Sequence, residues 1–269
     1  HQGSLIYPEH ASPLHNVQPS ESDASQRGRL SFINDLDDGF LQQTNRHAQV
    51  EAAIDNYEIA YRMQTAVPEL VDLAGETEAT KTLYGLDSPN ASTVAYGRQC
   101  LVARRLIERG VRFVELTMVG TDGMGQAANP WDQHTKLEEG HTANALTVDQ
   151  PVAGLVKDLK SRGLLDETLV VFSGEFGRTP FVQGTNGRDH NPMGFSLWLA
   201  GGGLKKGFIY GQTDEYGYRV VENAHTVRDL HATVLHLLGL DYTNLTYRFG
   251  GRDFRLTDVD GHPIRGILA

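Results

Sequence analysis

The chain has 269 residues, 39% hydrophobic and 22% charged, with a formal net charge of −10. These are the proportions of an ordinary globular protein long enough to bury a core without staples, and the acidic balance argues against nucleic acid or anionic membrane as partner, since both need a basic footprint. One cysteine, Cys100, excludes an internal disulfide framework and a cysteine-rich metal site, and no apolar run reaches the length of a membrane span.

Residues 1 to about 30 are polar, with Pro8, Pro13 and Pro19 and no sustained period. They read as an extended arm in which His10 and His15 are solvated surface histidines. From residue 30 to 71 the apolar residues recur at helical spacing, through Phe32, Leu36 and Phe40 and then Ile54, Tyr57, Tyr61 and Met63. The pattern predicts two helices broken between Gly39 and His47, with Pro68 opening a short third piece that ends near Gly75. After a loop-rich passage, residues 93–109 predict a helix stopped by Gly110, with Cys100 as a buried small hydrophobe. Residues 112–119 (RFVELTMV) predict a central strand, and the loop TDGMGQAANPWDQHTKLEEGH leaves its carboxyl end.

Residues 142–162 predict a further helix, ending at Gly163, and 168–172 (TLVVF) a buried parallel strand closed by Ser173-Gly174. This alternation of helix and strand implies right-handed crossovers and a parallel sheet, with functional loops along one edge. Residues 195–200 predict a further strand, and 208–210 with 218–221 a small hairpin around GQTDEYG. Residues 226–238 predict an amphipathic helix with Leu230, Val234, Leu237 and Leu238 inward, ended by Gly239. The tail reads as turns that wrap the sheet.

Two loops hold the chemistry. The first carries Trp131-Asp132-Gln133-His134; the second, Gly-rich and running to His190, carries Glu175, Arg178, Arg188, Asp189 and His190. Carboxylates and imidazoles at neighbouring strand ends suit a divalent ion such as Zn²⁺ or Mn²⁺. Asp132 and His134 lie two residues apart and so leave an extended segment on the same side. His141 either joins them or supports them from behind, and Asp122, in a TDG turn, is a weaker candidate. Arg178 and Arg188 suit an oxyanion, and phosphoryl or sulfuryl transfer is mostly positioning and charge stabilisation. Taken singly, each Asp–His pair reads more readily as a structural hydrogen bond; the shared sheet edge, together with the two arginines, favours metal. No GxSxG, P-loop or GxGxxG competes.

The segments GRQCLVARRLIERGVRF, WDQH, VVFSGEFGRTP, GRDHNPMGFSLWLAGGG and DLHATVLHLLGLD together resemble the domain-of-unknown-function family 1501, described as sulfatase-like within the alkaline phosphatase superfamily. The resemblance implies an α/β fold: an alkaline-phosphatase-like sandwich with a mostly parallel central sheet flanked by helices, plus a small β-hairpin near the C-terminus. It implies a single domain over 1–269, with an arm at 1–30, a helical and loop cap at 31–92 and an α/β core at 93–269. By the same resemblance Asp132, His134, Glu175, Asp189 and His190 hold a divalent metal (Zn, Mn or Ca), and Arg178 and Arg188 grip the substrate anion. Glu175-Phe176 stands where related enzymes carry Asp-His, and Phe176 cannot ligate. The sulfatase nucleophile motif Cys-x-Pro-x-Arg is absent, since Cys100 is followed by Leu101-Val102-Ala103.

Family members usually carry an upstream strand ending in a His-Gly-Gly-Pro-Ser-type segment, so the chain reads as the carboxyl-terminal part of a longer protein whose upstream segment is a partner of this one. The implied function is metal-dependent hydrolysis of a sulfate or phosphate ester, in a periplasmic or secreted bacterial setting. The expected ligand is a small anionic ester or sulfated carbohydrate. The alternative is a non-catalytic, metal-stabilised module that binds a sulfated or anionic glycan.

Overall fold

The computed structural model describes residues 4–10, 12–14, 17–43, 48–118 and 131–269. The chain divides into two compact units, residues 1–116 and 117–269.

The first unit is helical: α1 (Asp23–Gln43), α2 (Ala48–Val71), α3 (Glu78–Leu83) and α4 (Ala91–Glu108). Asp23 opens α1, and it accepts from Arg27 Nε at 2.8 Å and from Tyr61 Oη of α2 at 2.6 Å, so one carboxylate ties the two helices together. Pro68 lies inside α2 and does not begin a separate piece. The buried apolar residues of this unit include Val67, Leu70, Leu73, Tyr84, Tyr96, Leu101, Val102 and Cys100, which is fully buried. Burial pushes the Cys100 thiol well above its ordinary range, as expected of a packed small hydrophobe. The helix α4 starts where the Asn90 side chain accepts from Thr93 N at 3.0 Å. Its Arg104, only 3% exposed, is held by Glu76 at 2.8 Å and Glu108 at 2.7 Å.

The second unit contains α5 (Leu137–Ser161), β1 (Leu169–Phe172), β2 (Gly177–Gln183), β3 (Gly187–Asn191), β4 (Trp198–Gly201), β5 (Gln212–Thr213), β6 (Val220–Glu222), α6 (Val227–Leu237), β7 (Thr246–Phe249) and β8 (Arg252–Arg255). The expected alkaline-phosphatase-like sandwich with a mostly parallel central sheet is overturned here. Among the described residues the strands form short antiparallel pairs, β1–β4, β2–β3, β5–β6 and β7–β8, and no extended parallel sheet.

Two physical reasons account for this. Residues 112–118, apolar enough to suggest a central strand, form no strand. The connection from β1 to β4 contains the β2–β3 hairpin rather than a helix, whereas the crossover of a parallel return is usually an α-helix. The chain therefore comes back antiparallel, with Phe172 opposite Trp198 and their rings stacked 5.3 Å apart. In the tail, β7 and β8 pair across Gly250-Gly251, both at positive φ (57° and 82°), the requirement of a two-residue hairpin turn.

The tail also clasps α6. Thr226 and Asp229 form a reciprocal cap at the start of α6, and the two Asp229 oxygens serve different donors: Oδ2 accepts from Thr226 N at 2.7 Å and Oδ1 from His262 N at 2.9 Å. Partial burial works to raise the Asp229 carboxyl, but the N–H groups of Thr226 and His262 outweigh it, and its pKa sits below the ordinary value. A depressed folded-state pKa contributes stability that is fully present above the unfolded value of about 4 and is lost as pH falls through the lower folded one. Asn at 229 keeps one carbonyl oxygen for the two backbone donors and the Thr226 hydroxyl. Asp229→Asn is therefore expected to cost about 1 kcal/mol at neutral pH, with the gap to wild type closing as pH drops below about 4. Urea titrations at several pH values check this.

Candidate metal centre

The loop expected to carry the second half of the site is in fact the β2–β3 hairpin. Its closing pair is Gln183 opposite Gly187, and Arg178 stands directly opposite His190. Cross-strand partners share a face, so the hairpin brings together a guanidinium and an imidazole twelve positions apart in sequence. Between Arg178 and Val182 the register shifts, and Thr179 fills the irregularity. Its hydroxyl donates to Phe181 O at 2.9 Å and accepts from Asp189 N at 3.1 Å.

The WDQH segment is laid against this hairpin by its backbone. Arg188 N donates to Gln133 O at 3.1 Å, Lys136 N to the Asn186 side chain at 2.9 Å, and Leu137 N to Asn186 O at 3.2 Å. The approach is close enough that a Cβ on Gly187 would overlap the His134 carbonyl and come within 2.8 Å of Thr135 N. Trp131 and Lys136, which bracket the segment, both adopt positive φ (68° and 51°), uncommon for residues with side chains.

Three ligand atoms meet as a result. His134 Nε2 and His190 Nε2 each lie 2.9 Å from Asp132 Oδ1 and 3.1 Å from each other. Asp132, His134 and His190 form the group that could hold a metal ion among the described residues. Ligands at about 2.1 Å from one ion lie about 3.0 Å apart in an octahedral shell and about 3.4 Å apart in a tetrahedral one, so the separations are those of adjacent ligands. Two imidazoles and one carboxylate with open positions serve catalytic zinc and non-haem iron(II) alike, whereas calcium prefers oxygen donors throughout. The donor set therefore fits a divalent transition metal.

The same Asp132 oxygen accepts from Arg178 Nη1 at 2.7 Å. The hydrogen bond from His190 and the bond and charge of Arg178 prevail over partial desolvation and hold the Asp132 carboxyl down at about 2. Arg178 Nη2 lies 3.5 Å from Glu175 Oε1, and its guanidinium rests over the Phe176 ring at 5.6 Å. The Phe176 ring also contacts the His190 imidazole, with centroids 4.4 Å apart. Phe176 cannot ligate, but it packs both groups.

Of the seven expected site residues, Asp132, His134, His190 and Arg178 converge. Glu175 and Asp189 sit at the margin: among the described residues Glu175 reaches only Arg178, and Asp189 Oδ1 accepts from its neighbour's N–H at 2.8 Å while lying 3.9 Å from His134 Nδ1. Arg188 donates Nη1 to the Gly187 carbonyl at 2.9 Å and, among the described residues, makes no bond to the three ligands. His141 stands edge-on to Trp131, with centroids 5.3 Å apart. Asp122 and His15 lie outside the described residues. Two further residues matter: Gly187, for its missing side chain, and Gln183, whose Oε1 lies 2.5 Å from His134 Nδ1. The signal for both was the turn sequence Gly184-Thr185-Asn186-Gly187, which marks a hairpin rather than an open loop.

A family model described as protein of unknown function (DUF1501) matches residues 1–268, and the chain belongs to that family. No curated protein and no solved structure matches. No helix among the described residues is long and apolar enough to cross a membrane.

Proposed function

We propose that this DUF1501 member is a metal-dependent hydrolase of a sulfate or phosphate ester, a sulfatase-like chemistry carried on a fold other than the alkaline phosphatase sandwich. The observation that supports it is the meeting of Asp132, His134 and His190 with Arg178 bonded to the same carboxylate oxygen. Asp132, His134 and His190 would hold the ion. A divalent ion there would supply Lewis-acid polarisation of the ester and a more acidic water. Arg178, braced by Glu175 and Phe176, holds a positive charge beside the ligands, where it would orient an ester oxygen and offset the charge that develops on it. The site is open to solvent, with Asp132 33%, His134 35% and His190 44% exposed in their side chains, so a small ester or the end of a carbohydrate has access. The proposal carries with it the exported setting that the family resemblance implies.

Elemental analysis of protein purified without added metal, beside His190→Ala, is the test, followed by assays on aryl sulfates and aryl phosphates. Expected is a near-stoichiometric transition metal in the wild type, lost in the variant together with turnover. Metal retained by the wild type with no turnover on either ester class would favour the binding-module alternative. Equal metal content in wild type and variant would overturn the reading.

A further inference from the structure

We propose that Gln183 is the positioning residue that turns the metal-binding nitrogen of His134 toward the centre, an inference that rests on the metal reading above. The two ring nitrogens of His134 have different partners. Nε2 faces Asp132 and His190, and Nδ1 lies 2.5 Å from Gln183 Oε1. An amide oxygen only accepts, so Nδ1 carries the hydrogen, and a neutral imidazole protonated there keeps its lone pair on Nε2. That lone pair points to the place where the three ligand atoms meet. Metal-binding histidines usually have their other nitrogen engaged in this way, which fixes both tautomer and ring orientation.

The fold places Gln183 for this task. It ends β2 as the cross-strand partner of Gly187, the residue whose bare backbone admits the His134 carbonyl. One closing pair of the hairpin thus receives both the main chain and the ring of His134. Among the described residues no other acceptor stands within hydrogen-bond range of Nδ1: Asp189 Oδ1 is 3.9 Å away, beyond hydrogen-bond distance. The second imidazole is set differently, by the Phe176 ring packed against His190.

The test compares Gln183→Leu with Gln183→Glu, each checked for native folding by circular dichroism and melting. Zn²⁺ affinity is measured by competition with a chromophoric chelator, and the visible spectrum of the Co²⁺ form reports ligand geometry. Gln183→Leu is expected to bind Zn²⁺ about 10- to 100-fold more weakly with an altered Co²⁺ spectrum. Gln183→Glu, which can only accept, is expected to keep wild-type affinity or exceed it. Unchanged affinity and spectrum in Gln183→Leu would overturn the assignment. So would a loss in Gln183→Glu as large as in Gln183→Leu, because the amide would then have been donating. Wild-type protein that binds neither ion better than His134→Ala would overturn the metal reading itself, and this assignment with it.

Discussion

A methyl group added at Gly187 is expected to abolish metal binding. The Cβ would fall on the His134 carbonyl and against Thr135 N, so the obstacle is main chain, which cannot rotate aside as a side chain would. Either β3 leaves its pairing or the WDQH segment lifts off the hairpin. The second is easier, because that segment is held by Arg188 N on Gln133 O and by two bonds to Asn186, whereas β3 pairs with β2 on both sides of the irregularity. Lifting it carries Asp132 and His134 away from His190. Metal affinity should fall on the order of 100-fold or more, beyond what loss of a supporting contact costs. The overpacking itself should destabilise by about 1–3 kcal/mol. Gly184→Ala in the same turn is the control. Nothing stands within 4 Å of its Cβ, and only its φ of 61° is strained. It should cost about 1–2 kcal/mol and leave metal binding intact. If Gly187→Ala bound metal as the wild type does, the docking of the segment on the hairpin would be wrong.

The contrast between Gly184 and Gly187 also shows what was legible in the sequence. Both glycines were visible, and so was the turn they bracket. That Gly187 receives another segment's backbone depends on a contact fifty residues away, which no local pattern encodes. Helix ends were legible because their signals are local. Gly110, Gly163 and Gly239 each stand one capping residue past the end of α4, α5 and α6 and take positive φ of 82°, 71° and 75°. The strands near 169–172 and 198–201 were also legible as apolar, β-branched or aromatic runs. Their direction was not, because an apolar run does not state which neighbour it will pair with or in which sense. The run at 112–118 shows the other failure, since it carries a strand's composition without a partner. For the site, residue chemistry sufficed to single out Asp132, His134, His190 and Arg178. It also named Arg188, as a second guanidinium suited to an oxyanion. In the fold its guanidinium turns to its neighbour's carbonyl.

The largest stability effect is expected in the first unit, at Arg104 in α4. Its guanidinium is 3% exposed and bonded to Glu76 on one side and Glu108 on the other. Burial alone works against the charge. The hydrogen bonds to Glu108 and Glu76 and their negative charges overcome it, so the pKa rises above its ordinary value and the group stays ionised. Replacing it by Met fills similar volume but leaves two carboxylates facing a side chain with no positive charge. Glu76 keeps weak support from Arg105 at 3.6 Å, and Glu108, more exposed, keeps water. Breaking a buried ion pair from one side costs about 3–5 kcal/mol. The lower end is expected here, about 3 kcal/mol, seen as a drop of roughly 10 °C in melting temperature. The triple variant Arg104→Met, Glu76→Gln, Glu108→Gln removes all three charges together. It should recover part of the loss, because no unpaired charge is then left buried. A loss below about 0.5 kcal/mol in Arg104→Met, the range of an ordinary surface substitution, would mean that the two glutamates find water as readily as they found the guanidinium.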